Sequence, residues 1–144
     1  MERSERVAVL LGGRKVLRSR IRATREMQLA LRRGLPFAAF EALGDALRMS
    51  SDELAELIGL AARTLARRKA LGRLSPTESD RLYRVAHTTL VAAEALGSLE
   101  KAREWLARPN RALGGDRPVS YLDTGIGERQ VEELLLRLGH GIYS

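Results

Sequence analysis

The stretch DELAELIGLAARTLARRKALG, Asp52–Gly72, holds the sequence's main ambiguity. Leu54, Leu57, Ile58 and Leu65 fit the apolar stripe of one continuous amphipathic helix. Gly59 interrupts it, and Leu60 would fall off that stripe. A glycine in a helix interior costs about 1 kcal/mol relative to alanine, so a single helix is tolerable. Two short helices joined at Gly59 account for more of the residues. Glycine accepts the positive φ of a tight turn, and Leu60 then packs inward instead of facing solvent.

The surroundings favour the second reading. Ser50 and Glu53 have the spacing of a capping box that opens a helix, and small Ala55 leaves room for a second helix to cross close above. Leu65 supplies an apolar anchor deeper in that second helix. These are the parts of a helix-turn-helix, whose second helix enters the DNA major groove. Arg68 stands where a further apolar residue is usual, which predicts a shorter or tilted second helix. Arg63 and Arg67 share a face at i, i+4, from which guanidinium groups can reach guanine edges or phosphates, and Thr64 with the neighbouring alanines is expected near base methyl groups. Arg68, Lys69 and Arg73 are expected at phosphates, which position without specifying. For each alone, solvated surface is the plainer alternative.

Charge distribution agrees. The chain of 144 residues carries a net charge of +7. Residues 1–74 hold 16 Arg and Lys against 8 Asp and Glu, and residues 75–144 hold 9 against 10, restoring the totals of 25 and 18. A basic half beside a neutral half predicts that one end meets a polyanion. Cysteine is absent, which removes disulfides and thiolate chemistry. Val7–Leu11 is too short an apolar run for a signal or a membrane span, so a soluble cytoplasmic protein without membrane attachment is expected.

Helix punctuation recurs along the chain, and alternating strand patterns are nearly missing, so the fold class is all-α. Arg14–Arg33 reads as one basic helix closed by Gly34. Its thin stripe of Leu17, Ile21, Met27 and Leu31 serves either a dimer seam or its own domain. Pro36 starts a helix with Phe37, Phe40, Leu43 and Leu47 on one side. Ser75, Pro76 and Glu78 open another, which spaces Leu82, Val85, Ala86, Thr89, Ala93 and Leu96 at helical period before Gly97. Ser98 caps a helix that Pro109 ends. A long irregular stretch follows, then a last helix, Glu128–Leu138, with Val131, Leu134, Leu135 and Leu138 on one face. Leu136 lies off that face.

RTLARR (63–68), GRLSPTESDRLYR (72–84) and KAREWLARPNRALGGDRPVSYLDTGIGERQVEELLLRLGHGIYS (101–144) carry a family resemblance. The specific part is the ordered series of a tryptophan helix, P-N-x-A-L-G-G, a proline before L-D-T, and V-x-x-L-L-x-R ahead of a glycine. From about Leu35 onward the chain resembles the Xre/MbcA/ParS antitoxins, which join an Xre-like helix-turn-helix to a small helical toxin-binding domain. The resemblance implies a division into 1–34 (a basic segment assigned to dimerisation), 35–96 (DNA binding) and 97–144 (toxin binding). It implies a toxin partner, most often a RES-domain protein that attacks NAD, whose active-site cleft the antitoxin occludes. It also implies a homodimer that represses its own operon by binding double-stranded operator DNA.

Toxin contact is carried over to the Pro109–Leu122 loop, the last helix and the tail, with Leu113, Pro118, Leu136, Arg137, His140, Ile142 and Tyr143 as the candidates. Arg137 is either a carboxylate or phosphate clamp or a solvated helix end, and Tyr143 either a plug or a frayed terminus. Trp105 and Tyr121 read as core anchors. His87 and His140 belong to no catalytic or metal-binding spacing, and the GIG at 125–127 follows no strand, so it is not a phosphate loop. Neither enzyme activity, cofactor nor metal is expected. The alternative function is a stand-alone helix-turn-helix regulator or a nonspecific DNA-binding protein.

Overall fold

The computed structural model describes residues 2–140, and the expected contacts Ile142 and Tyr143 lie outside them. The chain divides into two compact units, Met1–Ala86 and His87–Ser144. Its elements are α1 (Arg3–Leu10), α2 (Gly13–Leu17), α3 (Thr24–Arg33), α4 (Phe37–Leu47), α5 (Ser51–Leu57), α6 (Ala62–Leu71), α7 (Pro76–Leu96), α8 (Leu99–Ala107) and α9 (Gly125–Gly139). Two short 3-10 turns, Arg111–Leu113 and Pro118–Tyr121, lie between the last two helices. Among the described residues no strand forms, and the one isolated bridge pairs Pro36 with Arg73.

The first unit departs from the sequence reading at its start. Arg3–Leu10 is helical, with Val7 and Ala8 buried. The single basic helix expected over Arg14–Arg33 is two helices separated at residues 18–23. A continuous helix would stack Arg14, Arg18 and Arg22 at i, i+4 with no acid between them, an arrangement that repels. Instead Arg18 turns into the left-handed region (φ 56°), and the Glu26 carboxylate accepts from the amides of Arg22 and Ala23 to open α3. Leu17, Ile21 and Met27 are nevertheless buried. That part of the stripe serves the unit's own interior, where α2 and α3 pack on α1.

On α4, Phe37, Phe40, Leu43 and Leu47 are all buried, as their spacing predicts. The Phe37 and Phe40 rings stack with centroids 5.2 Å apart. Gly34 has φ +87°, and a Cβ there would run into the carbonyl oxygen of Leu74. The contact is close because residues 35–37 exchange backbone hydrogen bonds with 72–74: Leu74 N–H donates to Leu35 O and Phe37 N–H to Gly72 O, both at 2.9 Å. This pairing ties the end of α6 to the start of α4.

In the second unit, the 3-10 turn Pro118–Tyr121 packs against both α8 and α9. Val131, Leu134 and Leu135 of α9 are buried and Leu138 is half-buried, matching the expected face. The long stretch after Pro109 is ordered by local bonds. The Asn110 side chain accepts from Ala112 N–H, and the Tyr121 hydroxyl donates to Leu113 O at 3.0 Å. Helix α9 starts three residues before its expected first residue, because Thr124 caps it by accepting from Gly127 N–H. Gly127 faces the Tyr121 carbonyl so closely that a Cβ would collide with it. The GIG fragment is therefore a packing device.

Candidate DNA- and toxin-binding surfaces

The turn between α5 and α6 is built as the sequence predicts. Ser50 accepts from Glu53 N–H while the Glu53 carboxylate accepts from Ser50 N–H, both at 3.1 Å, so two orphan donors are satisfied. At the other end, Gly59 takes φ +71°. Its N–H donates to Glu56 O, and the Leu60 N–H reaches back to Ala55 O at 2.8 Å. These are the two bonds of a Schellman motif, which requires a left-handed residue at the glycine position. Leu54, Ala55, Ile58 and Leu60 are buried, so Leu60 packs inward. Arg81 of α7 donates to the Ile58 carbonyl and closes the turn from outside.

Helix α6 has no fully buried residue. Leu65 and Thr64 are half-buried, whereas Arg63, Arg67 and Lys69 are exposed. The structure therefore presents Arg63 and Arg67 together, one turn apart. Arg68 lies differently from its expected place at a phosphate. Its Nε donates to Glu78 Oε1 at 2.7 Å and its Nη2 to Glu78 Oε2 at 3.2 Å, a bidentate pair. Glu78 is also the third residue of the α7 capping box, accepting from Ser75 N–H at 2.8 Å. Burial alone would push the Glu78 carboxyl up. The Arg68 hydrogen bond, the Ser75 amide and the Arg68 charge outweigh it and hold the carboxyl below the usual range. The same pairing raises Arg68. An arginine thus fills the usual apolar position by bringing its own counter-ion. Arg73 is exposed but has one guanidinium arm on Gly34 O at 2.5 Å.

Of the expected toxin contacts, Leu136 is 55% exposed, and Arg137 and His140 are exposed beside it. Leu113 and Pro118 are buried, contrary to a surface role. Pro118 opens the turn that packs on α8 and α9, and Leu113 provides the carbonyl that Tyr121 holds. Their position in an irregular stretch gave the appearance of exposure. Ile126 is 76% exposed at the start of α9, in a GIG context that reads as a loop and so gives no sequence signal of a helix surface. Trp105 and Tyr121 are half-buried.

The sequence also hides a polar cluster in the second unit. His87 Nδ1 lies 2.9 Å from Glu132 Oε1, and Thr88 donates to Glu128 at 3.2 Å. Glu132 Oε1 is shielded from solvent, and among the described residues the His87 Nδ1 is the donor atom placed to satisfy it. His87, Glu128 and Glu132 could each offer one ligand atom, all within 4.8 Å of one another, to a metal ion. His87 lies 41 and 45 positions before these glutamates, so spacing gives no hint of the cluster.

The arrangement is that of a helix-turn-helix protein with a second helical unit. Residues 26–87 match the antitoxin Xre-like helix-turn-helix domain, and residues 91–141 the antitoxin Xre/MbcA/ParS C-terminal toxin-binding domain. Three curated relatives bear the name antitoxin Xre. The protein of Pseudomonas putida is 43% identical over 68 residues, 47% of this chain and 43% of its own length. That of Yersinia enterocolitica is 35% identical over 94 residues, 64% of each chain. That of Photorhabdus laumondii is 31% identical over 116 residues, 79% of this chain and 78% of its own. The matched region thus spans less than two thirds of the first two relatives. The chain belongs to the Xre family of antitoxins. No helix among the described residues is long and apolar enough to cross a membrane.

Proposed function

We propose that this protein is the non-enzymatic antitoxin of a two-component toxin–antitoxin pair, acting in the cytoplasm as a homodimer that both neutralises a toxin and represses its operon. The second unit captures the toxin, and α9 is its principal contact. The observation that carries this reading is the two-sided character of α9. One side is committed to the unit's interior, while Leu136, Arg137 and His140 remain exposed where the helix ends. An exposed leucine flanked by hydrogen-bonding groups fits a partner's cleft better than it fits solvent. The partner is a RES-domain toxin that degrades NAD, inhibited by occlusion of its active-site cleft.

DNA binding belongs to the first unit. Arg63 and Arg67 read base edges, with Thr64 beside them, and Lys69 and Arg73 hold phosphates. Arg68 seats the helix and leaves base reading to its neighbours. Dimerisation falls to the N-terminal segment, where Val9 (62% exposed) and Leu29 remain uncovered apolar surface. Two copies would then set their recognition helices about 34 Å apart, one turn of DNA.

Co-expression with the neighbouring reading frame tests the central claim. A stable complex and restored growth are expected, and a toxic neighbour that is neither bound nor rescued would overturn it. Arg63→Ala with Arg67→Ala should weaken binding to the DNA upstream of the operon more than binding to random duplex. Equal losses on both would favour the second reading, a nonspecific DNA-binding protein, for which the basic first unit speaks.

A further inference from the structure

We infer that the DNA interface of the first unit extends beyond the helix-turn-helix into a basic cleft formed with α2, in which Lys15 and Arg18 hold the phosphate backbone. The inference rests on the DNA-binding reading and adds residues that precede the matched helix-turn-helix region.

A cleft of about 680 Å³ opens where α2, the start of α4 and the end of α6 meet. Four cationic side chains line it, Lys15, Arg18, Lys69 and Arg73, against one carboxylate, Glu41. A neighbouring depression of about 220 Å³ shares Arg18 and Arg73 and adds Arg33, so the positive lining continues beyond the first cleft. Lys15, Arg18 and Lys69 are exposed, and none is spent on an acid among the described residues. Arg73 has one arm fixed on Gly34 O, which holds the group in place and leaves its other donors available.

Arg18 adds a separate observation. Among the described residues it is one of two non-glycine residues with positive φ, at 56°, and it ends a helix of only five residues. A long side chain in that conformation is held at a cost of about 1 kcal/mol, which a glycine would avoid. The left-handed turn carries Arg18 out of the line of α2 and onto the cleft wall.

The lining suits a polyanionic backbone more than a small metabolite. Small-ligand pockets are largely apolar and orient their occupant through a few fixed polar groups. This cleft has apolar lining from Val16, Pro36, Phe37 and Ala38, but its charged groups are four long, exposed cations against a single carboxylate, a set that matches a repeating anion. Phosphate contacts need little more than such cations within reach of a strand. Two of the four, Lys69 in the last turn of the recognition helix and Arg73 just past its Gly72 cap, are already assigned to phosphates, so a strand seated there continues the same interface.

The test is the salt dependence of binding to a mixed-sequence 30-base-pair duplex, read by fluorescence anisotropy from 50 to 300 mM KCl. Lys15→Gln with Arg18→Gly removes two cations, and glycine suits the positive φ of residue 18, so folding is preserved and melting verifies it. The slope of log K against log salt should fall by about 1.8, at about 0.9 per phosphate contact, and affinity by roughly tenfold at the low-salt end. Glu41→Lys should steepen the slope. If Arg63→Ala with Arg67→Ala weakens binding while Lys15→Gln with Arg18→Gly leaves slope and affinity unchanged, the cleft is no part of the interface. An unchanged slope accompanied by lost toxin capture or self-association would overturn the inference in favour of a protein partner. A wild-type protein that fails to bind duplex at all removes the DNA-binding reading, and the cleft with it.

Discussion

Helices α6 and α9 are both assigned to partners, yet they are held in opposite ways. Helix α9 buries Val131, Leu134 and Leu135 and reaches outward from a packed stripe. Helix α6 buries no residue fully; it is positioned from its ends and sides. The Gly59–Leu60 turn fixes its entry, the Arg68–Glu78 pair fixes its last turn, and the pairing of 72–74 with 35–37 fixes its exit. A helix that must lie in a groove keeps most of its circumference free, so its anchors are polar and backbone contacts. A helix that offers one patch can spend the rest on a core.

The contrast predicts where substitutions hurt. Leu135→Ala, at a fully buried position, should cost about 2–5 kcal/mol by urea unfolding, the largest effect of a single change. A loss below 1 kcal/mol would mean that α9 is not seated by its stripe. Gly127→Ala should cost about 1–3 kcal/mol, because the backbone must retreat from the Tyr121 carbonyl. Its melting curve would test whether the helix start is as tightly abutted as it looks.

In the first unit, Gly59→Ala is expected to cost about 1–2 kcal/mol through the forced left-handed conformation. Circular dichroism with DNA binding should show a folded protein whose recognition helix is misplaced. Glu78 supplies a pH handle. Its carboxyl is held below the ordinary value, so its stabilisation is complete above about pH 4.3 and lost as pH falls through the lowered folded value. Glu78→Gln should flatten that acid limb. An identical acid limb in the variant would show that other carboxylates carry it.

The smallest effect on stability belongs to Leu136→Ser, within about 0.5 kcal/mol, since the residue is exposed. Toxin capture should nevertheless weaken at least tenfold, or about 1.4 kcal/mol, in a titration of the purified partners. Equal toxin affinity would leave α9 a merely structural helix and erase the comparison.

The helix ends were the most legible features. Ser50 with Glu53, Ser75 with Glu78, and Ser98 all cap where their spacing placed them, because capping is local chemistry between residues three apart. The turn at Gly59 was readable for a similar reason: an apolar residue off the stripe has to be explained by a bend. What escaped reading depends on distant neighbours or on context. Arg68 looked like another surface cation because its partner lies ten positions away on another helix. Leu113 and Pro118 looked available because an irregular stretch suggests solvent, although α8 and α9 cover the second of its turns. The His87–Glu132 contact joins residues 45 positions apart. The break at Arg18 was in principle visible, since a run of arginines at i, i+4 without acids argues against one helix.

Glu78 takes part in two structures at once. The carboxylate that accepts the first free amide of α7 also holds Arg68 of α6. Nucleation of the one helix and seating of the other therefore become a single step, and a molecule in which α7 has frayed at its start has also let go of α6. In hydrogen exchange, the Ser75 amide and the last turn of α6 should open together and gain or lose protection as one cooperative unit.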